Sequence, residues 1–162
     1  MLNIVLLMKD CMKGRESFYR MQDELKEHLL KHCELSIASG ELQVEEPIFV
    51  ELDVDVWVSV MKIEDSFDIQ SQSIEILNEY LSPVANTIGN GWEIGVLPRK
   101  SQIMMRLNSI KSKARIKHMV VTARYEDSKG SHEADLDEIH KSPYMVVMNG
   151  THHIHVSAME DE

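Results

Sequence analysis

From Ile48 to Lys62 the chain alternates with a period of two: Ile48, Val50, Leu52, Val54, Val56, Val58 and Val60 are aliphatic, and Phe49, Glu51, Asp53, Asp55, Trp57, Ser59 and Met61 lie between them. Successive strand residues point to opposite faces, so the run predicts a strand with one apolar face and one mostly acidic face. At about 3.3 Å per residue it would reach roughly 40 Å, well beyond the usual five or six residues. A strand this long with no catalytic motif on it points to a scaffold or an assembly element.

The rest of the chain reads as elements around that strand. Asn3 to Met8 predicts a short buried strand. Residues 15 to 33 predict an amphipathic helix with Phe18, Met21, Leu25, Leu29 and His32/Cys33 on one stripe. Ser39-Gly40 breaks the chain, and Pro47 stands at the entrance of the long strand, where a missing N–H is tolerated. A second helix is expected from an N-cap at Ser66 to about Leu81, ended by Pro83, with Ile69, Ile76, Leu77, Tyr80 and Leu81 on its apolar stripe. Val84 to Pro98 reads as a loop turned by Gly89, Gly91 and Gly95. Ser101 would cap a short third helix carrying Ile103, Met104, Leu107 and Ile110. Two strands follow, Ile116 to Glu126 and Tyr144 to Ala158, joined by an acidic, exposed segment from Asp127 to Ser142. The expected fold is therefore α+β: a mixed sheet with a long central strand, about three helices packed against it and a C-terminal β-hairpin. Residues 1–40 form a strand-helix segment and 41–162 the main α/β domain, together one compact unit.

A chain of 162 residues carries a core large enough to need no disulfide or metal staple. Its two cysteines, Cys11 and Cys33, are too few for a disulfide framework and read as thiols in a reducing compartment. The apolar start is too short for a signal core and no run approaches the roughly 20 apolar residues that span a bilayer, so a cytoplasmic location is expected.

Net charge is −10, which argues against general nucleic-acid binding. The charge is unevenly placed. Residues 41–68 hold nine acids against Lys62 alone, whereas 99–124 hold eight bases and no acid. Either these are solvated faces that balance within the fold or they are complementary patches that dock subunits. On the second reading the interface candidates are Glu51, Asp53, Asp55 and Trp57 on the acidic side and Arg106, Lys111 and Lys113 on the basic side.

His152-His153-x-His155 is the most metal-like run. In a strand it offers His153 and His155 on one face and His152 on the other, with His132 or His140 as a distant third ligand. Asp53 and Asp55 share a face roughly 6.5 to 7 Å apart, a spacing open to acid/base work, although their regular strand setting favours a solvated or interface role. Cys11 precedes a helical stretch that could stabilise a thiolate, but no partner base can be named. No nucleophile elbow, phosphate loop, dinucleotide fingerprint or zinc-protease motif is present. Of eleven methionines, Met21, Met104 and Met119 fit core faces and others suit adaptable contact surfaces.

Taken in order, the Ile-Phe-Val strand after Pro47, the helix ending Tyr80-Leu81-Ser82-Pro83, Gly91-Trp92-Glu93-Ile94-Gly95, the short helix with Leu107 and Ile110, and the closing Pro143-Tyr144 and Gly150-x-His152-x-Ile154-x-Val156 resemble the C-terminal region of baseplate J-like proteins of contractile phage tails and related injection systems. The resemblance covers about residues 42 to 157. Its fold-motif positions are Pro83, Gly91, Trp92, Gly95, Gly150 and His152. It implies a non-enzymatic structural role as a baseplate wedge component in an assembled particle. The implied partners are other wedge subunits and further copies of the chain; no cofactor, catalytic residue, metal ligand, nucleic acid or membrane insertion is implied. Family members carry a larger N-terminal region than this chain. Physically, Trp92 between glycines anchors a sharply turning loop, and Asn149-Gly150 suits a two-residue hairpin turn. The alternative class is a small metal-dependent hydrolase, which would need a concave pocket holding His153, His155 and an acid.

Overall fold

The computed structural model describes residues 2–32, 41–84, 91–110 and 114–159. They fall into two compact units that divide between Pro47 and Ile48.

In the first unit, β1 (Leu2–Val5) lies parallel to β2 (Leu42–Glu45), with Leu2 opposite Leu42 and Val5 opposite Glu45. Parallel neighbours require a long crossover, and α1 (Glu16–His32) lies within it. Phe18 is the buried residue of α1, Gln22 donates its side-chain amide to the Val44 carbonyl, and Arg15 pairs with Glu46 at 3.2 Å. The stripe expected on this helix is shallower than its periodicity suggests: Leu25 and Leu29 are half-buried and Met21 is exposed. The strand β2 was not legible as a strand. It has four residues, two of them buried, and merges in sequence with the acidic run before Pro47.

The second unit is built on β3 (Ile48–Val60), the strand predicted from the alternation. Sheet order is β5-β4-β3-β6, with β4 (Ala114–Asp127) antiparallel to β3, β5 (Gly130–Asp135) antiparallel to β4, and β6 (Met145–Ala158) parallel to β3. The even-numbered aliphatics from Val50 to Val60 are buried in one core. Ile69 and Leu77 of α2 (Ser66–Tyr80), Ile103 and Leu107 of α3 (Lys100–Leu107), and Met119, Val121 and Ile154 of the flanking strands complete it. The fold is α+β with a mixed sheet, three helices and a central long strand.

Several local expectations change. Ser66 is the first helical residue, its hydroxyl donating to the Ile63 carbonyl, and Asp65 takes the N-cap position. Arg99, not Ser101, caps α3, and Gln102 accepts the Arg99 N–H at 2.8 Å. The C-terminal hairpin is β4–β5, because Asp127–Gly130 turns the chain and brings Glu126 opposite Ser131. The acidic stretch 127–142 is thus largely ordered, and its Leu136 and Ile139 enter the core. The last strand does not pair with β4. It crosses to the other side of β3, and Asn149-Gly150 lies inside it. Cys33, Ser39, Gly40 and Gly89 fall outside the described residues.

The motif positions of the helix end and the Gly-Trp loop form one connected corner. Trp92 donates its indole N–H to the Tyr80 carbonyl at 2.6 Å and its backbone N–H to the Pro83 carbonyl at 3.2 Å. Its ring meets Tyr80 edge-on, with centroids 5.4 Å apart. Gly91 and Gly95 take φ of 72° and 89°, where a side chain is strained, and Gly95 donates to the Met145 carbonyl at 2.6 Å. Among the described residues no helix is long and apolar enough to cross a membrane.

Candidate functional site

Because α2 and α3 pack on the face lined by even-numbered β3 residues, the odd-numbered ones point to the other face of the sheet. Register aligns that face in rows. Glu51 stands beside Arg124, Asp53 beside Thr122, Asp55 between Val120 and His153, and Trp57 between His118 and His155. On β5, Glu133 and Asp135 continue the rows of Arg124 and Thr122. The acidic face read from the sequence is therefore real in placement, but it is partly neutralised.

Arg124 is the neutralising group. Its Nε donates to Oδ2 of Asp53 at 2.7 Å and its Nη2 to Oδ1 at 3.1 Å, while Nη2 also lies 2.9 Å from Glu51. Asp53 further accepts the Thr151 N–H at 2.7 Å. Partial burial pushes the Asp53 carboxyl up, but the Arg124 and Thr151 hydrogen bonds outweigh it and hold the pKa below the usual value. Asp53 is thus committed to internal bonds, which removes it from the pair of free carboxylates that acid/base chemistry would need.

Thr151 reaches Asp53 because β6 bulges. Leu52 pairs with Asn149 and Val54 with His152, so Gly150 and Thr151 together oppose Asp53. The bulge leaves the Val54 N–H without a ladder partner, and His152 supplies one. Its Nδ1 accepts from Val54 N at 3.2 Å and its Nε2 lies 2.6 Å from Oδ1 of Asn149, an arrangement that assigns the neutral ring with hydrogen on Nε2. Burial lowers its pKa, and the charge of His153 acts the same way, against Asp53 and Asp55. Both nitrogens are in use. His152 is a bulge-filling residue, and the resemblance motif position it occupies has this local physical meaning.

His153 and His155 lie on the open face, as the strand period predicts. His155 stacks on Trp57 with centroids 4.6 Å apart and planes at 14°, and His118 approaches the same indole at 5.3 Å. Asp55 sits 3.8 Å from Nε2 of His155. Trp57 remains 38% exposed between the two imidazoles, so a large ring is held ordered at the surface. Beyond it, the Ser59 hydroxyl is buried without a hydrogen-bond partner among the described residues. Neither His132 nor His140 joins the cluster in a metal-holding set: no three His, Cys, Asp or Glu side chains come together in that way among the described residues. His132 instead stacks on Tyr125 and bonds Asp127 at 2.8 Å.

The basic candidates lie elsewhere. Arg106 is exposed on α3, on the helix side of the sheet, with its guanidinium 5.0 Å from the Tyr80 ring centroid. Lys111 and Lys113 are outside the described residues. Arg106 and the open face lie on opposite sides of one unit, whereas Arg124, from the same basic run, pairs directly with Asp53 and Glu51. Cys11 sits in a short 3-10 turn, Cys11–Lys13, and burial pushes its thiol pKa up, the reverse of a stabilised thiolate.

Sequence reading missed Arg124, His118 and an exposed apolar turn. Arg124 and His118 join the site only through the β3–β4 register, which no local pattern announces. Met61, Ile63 and Phe67, at the turn from β3 into α2, are exposed together; Phe67 is 74% accessible. Ile63 and Phe67 do interrupt polar sequence, but that signal reads equally as helix-start packing. The chain matches no protein-family model and no curated protein sequence.

Proposed function

We propose that this chain is a structural assembly protein, a wedge component of a contractile-tail baseplate or related injection particle, and that the open face of its sheet meets a neighbouring subunit. One observation carries the assembly reading: α2 and α3 pack on one face of the four-stranded sheet, and the other presents Trp57, ordered between His118 and His155, beside Asp55 and Glu51. Exposed aromatic rings with a polar rim are the usual composition of a contact centre. The baseplate assignment rests on the ordered resemblance. It is supported by the way Tyr80, Pro83, Trp92, Gly95 and Met145 bond into one corner, which makes those motifs a single structural unit.

The placement of Arg106 opposite the acidic face suits head-to-tail contact, in which unlike surfaces of adjacent subunits meet. The test is an Asp55→Lys, Trp57→Ala variant expressed in the native host. Loss of co-purifying sheath, tube or spike proteins, with an unchanged circular dichroism spectrum, is the expected outcome. A variant that assembles as the parent does would remove the open face from the interface. A parent protein that is monomeric at high concentration and recovers no tail protein would remove the baseplate reading. Sheath, tube and spike genes beside its own gene would support it.

A further inference from the structure

We propose that His28 and His32 form a two-imidazole site for a divalent transition-metal ion at the C-terminal turn of α1. The two residues are four apart on one helix, the spacing that places side chains one above the other on the same face. Their ring centroids lie 4.4 Å apart, with planes at 50°. Two nitrogens bound to one tetrahedral zinc, each at about 2.05 Å, are separated by roughly 3.3 Å. A centroid separation of 4.4 Å is compatible with a nitrogen from each ring at that spacing.

Three further features favour a cation here. Both rings are exposed, and among the described residues neither has a hydrogen-bond or ion-pair partner. The site occupies the last turn of a 17-residue helix, where carbonyl groups and the macrodipole favour positive charge. Glu24 stands one turn earlier on the same stripe and adds negative charge, while the adjacent Lys31 is paired with Glu27. Neutral imidazole suits zinc, nickel and copper and discriminates against magnesium and calcium, which take oxygen ligands. With two protein ligands the ion keeps water in its other positions. The site is therefore open, and separate from the His152–His155 run, where His152 is already bonded internally.

The test is metal titration of the whole chain with nickel and zinc near pH 7.5, read by calorimetry and by the melting temperature. One equivalent should bind in the parent and in a His153→Ala, His155→Ala variant, and should raise the melting temperature, because a metal bridge across one turn holds the helix. His28→Ala and His32→Ala should each weaken binding at least tenfold and abolish the thermal shift, Glu24→Gln should weaken it less, and magnesium should not bind. Retention of the equivalent in the His28→Ala, His32→Ala variant, or its loss in the His153→Ala, His155→Ala variant, would overturn the assignment. So would the absence of binding at 0.1 mM metal, a concentration (about 5.5 kcal/mol) that a two-ligand chelate should reach.

Discussion

A Cβ added to Gly150 would stand 2.2 Å from Oδ1 of Asp53, and 2.7 Å from the Leu52 carbonyl oxygen on the same strand. Gly150 is not in the left-handed region, so the glycine is required by this close approach of β6 to β3 and not by backbone conformation. Gly150→Ala should cost about 1–3 kcal/mol, the range of a forced overpacking. The Asp53 contact is a side chain that can be removed; the Leu52 contact is backbone and cannot. Adding Asp53→Ala should therefore recover only part of the loss, and the double-variant cycle should show a coupling on the order of 1 kcal/mol. Urea denaturation of the four proteins measures it, and strict additivity would mean that the bulge is looser than described.

His152 makes stability depend on pH with a defined sign. Its folded pKa lies below the unfolded value near 6.5, chiefly because it is buried. Above pH 6.5 both states are neutral and the contribution is fully present. As pH falls below 6.5 the unfolded chain takes up a proton that the folded chain refuses, so stability declines until the folded pKa is passed. Protonation also removes the acceptor for the Val54 N–H. His152→Ala should lose about 1–2 kcal/mol at pH 7.5, from the orphaned Val54 donor. It should also show a shallower decline than the parent between pH 7 and 5. Equal slopes would place the titration elsewhere.

The stacked pair on the open face is separable from the core. Trp57 and His155 touch each other across β3 and β6 while both remain partly exposed. A cycle of Trp57→Ala and His155→Ala should give a coupling of about 0.5–1.5 kcal/mol, the range for paired rings. Each single variant should leave the cooperative transition intact, since neither ring belongs to the helix-covered core.

What the sequence disclosed follows from the range over which each feature acts. The β3 alternation is local: every even residue from Val50 to Val60 is buried because a strand period needs no knowledge of partners. The α2 stripe and its end at Pro83 were legible for the same reason. The pairing of β6 with β3 was not, because Asn149-Gly150 has the composition of a tight turn and the competing use of that glycine, close approach at a bulge, depends on Asp53 far away in sequence. The same distance hid Arg124, which turns two apparently free acids into an ion-pair group. Leu136 and Ile139 were lost among acids, where two apolar residues are too few to show a period.

Trp92 joins the loop to the helix end through one directional bond, and that bond can be removed without the ring. Trp92→Phe deletes the donor to the Tyr80 carbonyl while keeping an aromatic ring near Tyr80. The expected loss is about 1 kcal/mol, as for a partly buried hydrogen bond. Trp92→Ala should lose clearly more, since the Tyr80 contact goes as well. If the Phe and Ala variants melt together, the indole N–H is the whole of the anchor.

Charge reversal at the three basic candidates tests assembly. Arg106→Glu, Lys111→Glu and Lys113→Glu together should weaken self-association or partner binding, because an acidic surface would then face the acids around Asp55 on a neighbouring subunit. The structural cost traceable to Arg106 is its exposed contact with the Tyr80 ring, worth about 0.5–1 kcal/mol, so the melting temperature should move by only a few degrees. Binding in the parent should also weaken between 50 and 300 mM salt, as exposed charge pairs do. Sedimentation at both salt concentrations separates the outcomes. Unchanged association in the triple variant, together with salt-insensitive association in the parent, would move the contact to uncharged surface, and the exposed turn of Met61, Ile63 and Phe67 would be the next to mutate.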